Sequence, residues 1–143
     1  MKLRLLVFFG LLTSLFVNTQ AQAISNEVVF VDAKGNVLAP NATLNLNKVE
    51  ESSFPPGQKQ ITTQLFIRNT SGKKQNVKLS CTITALEEGQ LQVCALGNCT
   101  FGEAVDTYDV ATKELPATAQ KEEIHADYSF PDKGKCIATL QLF

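Results

Sequence analysis

Alternation of apolar and polar residues is the feature that most constrains this chain. From 75 to 85, Val77, Leu79, Cys81, Ile83 and Ala85 alternate with Lys78, Ser80, Thr82 and Thr84. Successive strand side chains point to opposite faces, so this pattern separates into an apolar and a polar face only if the backbone is extended. The same period places Ile61, Thr63, Leu65 and Ile67 together within 59–69, with Gln64 and Arg68 opposite. It returns in 121–130 with Ile124, Ala126, Tyr128 and Phe130, and at the end with Cys136, Ala138, Leu140 and Leu142. Leu91 and Val93 alternate after the turn Glu88-Gly89, and weaker strands are expected at Val28 to Val31 and within Ala42 to Lys48. Turn signals separate these runs, chiefly Asn69 to Lys74 and Pro131-Asp132-Lys133-Gly134. No run beyond residue 23 has helical spacing. Short strands punctuated this densely predict an all-β antiparallel sandwich of about seven to eight strands. Ser52 to Gly57 reads as a loop within one core, so no domain boundary is expected there.

The first residues follow a different rule. Lys2 and Arg4 give a positive start, Leu5 to Val17 form an apolar run, and Ala21-Gln22-Ala23 is a small-x-small site. These are the three zones of a secretory signal peptide. A run of thirteen positions is short for a membrane-spanning helix, which needs about 20 apolar residues. The expected organisation is a cleaved signal peptide, residues 1–23, followed by one domain, residues 24–143. No Cys lies near the expected cut, so lipid anchoring there is not expected. Without Lys2 and Arg4 the remainder carries 11 basic and 14 acidic side chains, a net charge of −3. Mild acidity offers no electrostatic grip on nucleic acid or an anionic membrane, so neither is an expected partner, and no membrane insertion is expected after cleavage.

Four cysteines in a small exported chain argue for disulfides. Cys94 and Cys99 flank Ala95-Leu96-Gly97-Asn98, whose Gly-Asn pair suits a tight turn. Cys81 and Cys136 both fall on inward faces, whereas Cys94 falls outward if Leu91 and Val93 point inward. Face parity therefore favours Cys94–Cys99 and Cys81–Cys136. Loop closure predicts about 4 kcal/mol for the longer bridge and about 2 kcal/mol for the shorter. Redox chemistry wants Cys-x-x-Cys rather than this Cys-x₄-Cys spacing. A zinc site wants two close Cys pairs or paired His.

No catalytic constellation stands out. His125, Asp127 and Ser129 share a face of one strand, but alternate strand residues lie about 7 Å apart, beyond hydrogen-bond reach. They read as a polar strip. Glu103, Asp106 and Asp109 read as a solvated acidic loop; a calcium site would need their oxygens to converge. Phe66 and Phe143 are the candidate exposed aromatics. A terminal outer-membrane strand does not fit, because Leu140 and Leu142 are out of phase with Phe143 and no set of ten-residue lipid-facing strands exists.

The second half resembles exported immunoglobulin-like or fibronectin-type sandwich domains abundant in Bacteroidetes-type bacteria. The matching pieces are Leu91-Gln92-Val93-Cys94, Cys99, Leu115-Pro116-Ala117, Phe130-Pro131 with Gly134, and Cys136 to Phe143. Upstream, Phe66 to Thr70 and Val77-Lys78-Leu79 look like that family's earlier strand pair. The chain departs from the pattern in lacking a Trp before the first tip Cys, in placing Thr100 where an aromatic is common, and in carrying Cys81 and Cys136. The resemblance implies an Ig-like sandwich outside the cytoplasm, periplasmic or secreted, and implies no activity. In such a source the sequons at Asn41, Asn69 and Asn98 are chance matches.

These readings converge on a non-enzymatic exported module without cofactor or bound metal, acting on an unidentified protein or surface partner. Loops at one end of a sandwich commonly carry such contacts. The expected surface is the Cys94–Cys99 tip with Leu96, Asn98, Phe101, Glu103, Asp106 and Asp109. The competing expectation is a carbohydrate or calcium site in the 101–110 loop.

Overall fold

A computed structural model describes residues 3–9, 27–52 and 56–143. The expected cut site, Ala21-Gln22-Ala23, and Ser53 to Pro55 of the predicted loop lie outside the described residues. Eleven strands run through the rest: β1 (Leu3–Phe9), β2 (Val28–Val31), β3 (Thr43–Leu46), β4 (Glu50–Glu51), β5 (Lys59–Asn69), β6 (Gln75–Glu87), β7 (Gln90–Ala95), β8 (Asn98–Gly102), β9 (Thr107–Leu115), β10 (Lys121–Phe130) and β11 (Lys135–Leu142). They form two sheets ordered β3-β1-β11-β6-β9 and β2-β5-β10-β7-β8, with β4 on β5.

The alternation that predicted the long strands also builds the core. Ile61, Leu65 and Ile67 of β5 with Ile124, Ala126 and Tyr128 of β10 come from one sheet. Val77, Leu79, Cys81 and Ile83 of β6 with Ala138, Leu140 and Leu142 of β11 come from the other, and all share one core cluster. The two-sheet antiparallel sandwich is therefore present, with more strands than the seven to eight expected. The additional strands are short edge pieces and two segments, β1 and β9, whose sequence did not announce a strand. Every connection from β5 onward crosses to the other sheet except β7–β8, which is a hairpin. With β6 between β11 and β9, and β10 between β5 and β7, this wiring is that of a double-Greek-key jelly roll. The immunoglobulin-like connectivity implied by the resemblance is not reproduced strand for strand.

β9 has a definite reason for having been hidden. Its register against β6 shifts between Leu79 and Ser80, so Val110 is an extra residue in an otherwise paired ladder. A bulge flips the alternation phase partway along the strand, and a period-two pattern no longer reads through it. Lys113 stands opposite the inward Val77 and Glu122 opposite the inward Ile67. The two side chains meet at 2.9 Å between the sheets.

Turns are fixed by named side chains. Asn69 is buried; its amide nitrogen donates to the carbonyls of Lys73 and Pro116 at 2.6 and 2.7 Å. Its Oδ1 accepts from the Ser71 backbone N–H and hydroxyl. The predicted turn after β5 is therefore tied to the crossing between β9 and β10. The same engagement leaves no free amide for a glycan at Asn69.

Tyr128 does the equivalent work at the other end. Its buried hydroxyl donates to the carbonyl oxygens of Glu87 and Glu88, at 2.7 and 2.8 Å, where β6 crosses to β7. Burial raises its phenol well above the ordinary value, with the Cys136 thiol adding to the effect. Gly134, in the crossing from β10 to β11, packs against the same hydroxyl: a methyl there would lie 2.1 Å from the Tyr128 oxygen and 2.9 Å from Phe130 Cβ.

Two consequences can be measured by urea unfolding. Tyr128→Phe should cost about 1–2 kcal/mol, because the Glu87 and Glu88 carbonyls lose a donor. Gly134→Ala should cost about 2–3 kcal/mol from overpacking. Part of that clash is with the hydroxyl, so the double variant should be more stable than the sum predicts by about 1 kcal/mol. Strict additivity would refute the contact.

Candidate functional site

The β7–β8 hairpin is the part of the predicted surface that local chemistry fixes most firmly. Ala95 pairs with Asn98, so Leu96-Gly97 is a two-residue loop. Both residues have positive φ, 55° and 86°, as this tight hairpin turn requires. Leu96 is a poor residue for that conformation, which costs on the order of 1–3 kcal/mol. Two features offset the cost: the Leu96 side chain is buried against the main core, and Cys94 is bonded to Cys99 on the next pair of the ladder. Their Cα atoms lie 4.0 Å apart. Directly opposed residues at a non-hydrogen-bonded position approach this closely. The Cys-x₄-Cys spacing was therefore a hairpin signal as well as a disulfide signal.

The second expected bridge is not formed. Cys81 and Cys136 are free and buried. Both do point inward, as parity required, and β6 and β11 are neighbours. Parity leaves register open, however. Cys81 stands opposite Leu140, and Cys136 opposite Leu86. A four-residue offset is about 13 Å along a strand, while a disulfide needs Cα atoms within about 7 Å. Burial pushes both thiols up to about 12, with Cys81 also raising Cys136. Thiols held neutral at physiological pH are poor nucleophiles and poor metal ligands.

The structure divides the remaining predicted residues. Leu96 packs inward, whereas Phe101 is 52% exposed and Val105, missed by the sequence reading, is 62% exposed. Val105 sits in the corner joining β8 to β9, and its signal was a large apolar residue between the acidic Glu103 and Asp106. Asn98 donates from its amide to the Val110 carbonyl at 2.6 Å, and the Thr100 hydroxyl donates to the Asp109 carbonyl at 3.1 Å. Side chains of β8 thus bond the outer carbonyls of β9, knitting the edges of the two sheets together.

The acidic residues do not converge. Asp109 lies on β9 and pairs with Lys78 at 2.8 Å. Asp106 accepts the Thr107 N–H at 2.7 Å. Glu103 lines a shallow open hollow with Gln58, Gly89 and Gln90. Among the described residues no three His, Cys, Asp or Glu side chains are grouped as metal ligands.

His125 is exposed beside Glu123 at 3.2 Å. Gln64 also donates to Glu123, and that bond is the main reason its carboxyl titrates below the ordinary range. Asp127 is held above its usual value by burial. Ser129 is buried rather than part of an exposed strip. Phe66 is half-buried under the Lys121 ammonium, 5.2 Å from the ring centre, and Phe143 is 44% exposed. No helix among the described residues is long and apolar enough to cross a membrane.

No protein-family model and no curated protein matches the chain. A solved structure of the N-terminal domain of PorA has the same fold at a TM-score of 0.55 and 21% identity, covering 73% of this chain and 71% of that one. At that identity the likeness speaks to fold.

Thiol counting tests the cysteine assignment. Without reductant, native protein should take up no iodoacetamide, denatured protein two equivalents at Cys81 and Cys136, and reduced denatured protein four. A denatured, unreduced count of zero would restore the second bridge. Replacing Cys94 and Cys99 with Ser should cost about 2 kcal/mol in urea unfolding.

Proposed function

We propose that this chain is a non-enzymatic module working outside the cytoplasm, and that it binds another protein or a cell surface through the β8 edge and the corner after it. The observation that carries this reading is the exposure of Phe101 and Val105 on a stiffened edge. Most apolar side chains of the sandwich are spent in its core, and these two are presented where a disulfide and two side-chain-to-backbone bonds limit motion. Aromatic anchors on rigid supports lose little entropy on binding and commonly dominate interface energetics. Glu103 and Asp106, free of ion pairs among the described residues, would form a polar rim that favours a basic partner surface.

The extracytoplasmic setting is supported by the three-zone N-terminus and by the Cys94–Cys99 bridge, which belongs to an oxidising compartment. The non-enzymatic reading is supported by the neutral buried thiols and by the dispersal of the acidic groups and His125.

The test is capture from envelope extract with purified protein as bait, compared with a Phe101→Asp, Val105→Asp double variant. Recovery of a specific partner should fall at least about 30-fold, as for loss of a strong interface anchor. The melting temperature should stay within a few degrees, since both positions are exposed. Equal recovery by the two baits would reject this surface. A rise in melting temperature in millimolar calcium would instead favour the ligand-binding reading.

A further inference from the structure

Among the described residues, β1 makes the one parallel pairing of the molecule. It lies between β3 and β11, parallel to the first over Leu6 to Phe9 and antiparallel to the second over Leu3 to Phe9. β3 and β11 therefore run antiparallel to each other, as direct neighbours in such a sheet would, with β1 wedged between them. Leu5 is 1% exposed and belongs to the main core cluster. Positions 3, 5, 7 and 9 stand in register with the inward Leu142, Leu140, Ala138 and Cys136. Yet this same segment has the sequence of an export leader.

We propose that the position of β1 is an acceptor slot, filled after export by an extended strand donated by a partner protein. The proposal rests on the reading that residues 1–23 are removed. Three observations favour a partner over closure by the chain itself. β3 is four residues long and its register reaches Leu6 to Phe9 alone, so it matches at most the Cys136–Thr139 half of β11. Leu140 and Leu142, against which positions 5 and 3 lie, would stay open. Second, β1 itself is an imperfect occupant: Gln141 Nε2, on β11 directly opposite position 4, is buried with no hydrogen-bond partner. A donor with an acceptor group at position 4, opposite Gln141, would satisfy that amide. Third, the other sheet edges are already protected: β8 and β9 by each other and the disulfide, β2 by the bridge from Val31 to Val37 and the Leu38 N–H on the Phe30 carbonyl. An unprotected edge is a template for strand addition. The expected donor is thus at least seven residues long, apolar at alternate positions, with an acceptor at the second.

The test uses the full chain expressed with its own leader and purified from the exported fraction. Intact mass first reports the N-terminus. A chain that still begins at Met1 would overturn cleavage, and with it the vacancy. With a cleaved chain, the probe is a peptide of the 3–9 sequence flanked by lysines, read by hydrogen exchange across 136–142. The β11 amides that do not bond β6 should exchange freely alone and at least tenfold more slowly with peptide. A peptide carrying Leu5→Asp should bind at least 30-fold more weakly, and one carrying Arg4→Asn several-fold more tightly. No added protection, or full protection before any peptide is present, would overturn the slot while leaving cleavage intact. Equal affinity of the Arg4→Asn peptide would overturn the acceptor requirement at the second position.

Discussion

The buried hydroxyl of Tyr128 is the point on which the two layers depend. A sandwich with this wiring must carry the chain between sheets repeatedly, and each crossing exposes backbone groups at the end of the core. Two of the crossings, β6 to β7 and β10 to β11, meet at this side chain. One supplies carbonyls that the hydroxyl satisfies; the other brings Gly134 so close that no side chain fits. The hydroxyl is therefore both a donor to one turn and a steric template for the other. Asn69 plays the matching role at the opposite end, with its amide shared between two further crossings. Buried polar groups so fully used specify which turn belongs where, a task apolar packing alone performs poorly.

What could be read from the residues follows from where burial is one-sided and uninterrupted. β5, β10 and β11 keep their phase over their inward runs and β6 keeps it as far as Ile83, so alternation located these strands and most of their inward residues. Past a register shift at Thr84, Ala85 stands opposite Ile137, and Leu86 rather than the expected Ala85 stands opposite the inward Cys136. β9 kept its phase only to Val110, where a bulge reversed it, and its charged Asp, Lys and Glu residues looked like a loop. β1 was invisible as a strand because a near-continuous apolar run has no period. The cysteines show the limit most sharply: parity is a property of one strand, register a property of two. Cys81 and Cys136 passed the first condition and failed the second by four residues. Within the tip, Leu96 and Phe101 were equivalent until the turn was known. A left-handed conformation at Leu96 goes with a side chain packed into the core, whereas Phe101 stands opposite Gln92 on the outward face it shares with Cys99.

Sheet order separates the two surfaces on which function is argued. β8 and β9 end their respective sheets on the same side, and β2 and β3 end them on the other. The disulfide-pinned edge with Phe101 and Val105 thus lies across the sandwich from the slot beside β11. The first edge is closed covalently and by side-chain bonds, and offers side chains to a partner. The second is closed by backbone pairing, and would offer a backbone ladder once its strand is gone.

That difference sets what each could recognise. Side-chain contacts at the pinned edge discriminate by shape and charge, and their strength rests on a few anchors. Strand addition draws affinity from main-chain bonds that any sequence can make, so its specificity must come from the alternate pockets, here the space that Leu5 fills. A chain built this way could hold one partner through an inserted strand while a second docks at the opposite edge. Because both edges are tied through β10 and β11 to the Tyr128 crossing, the two contacts would share one rigid frame rather than compete for it.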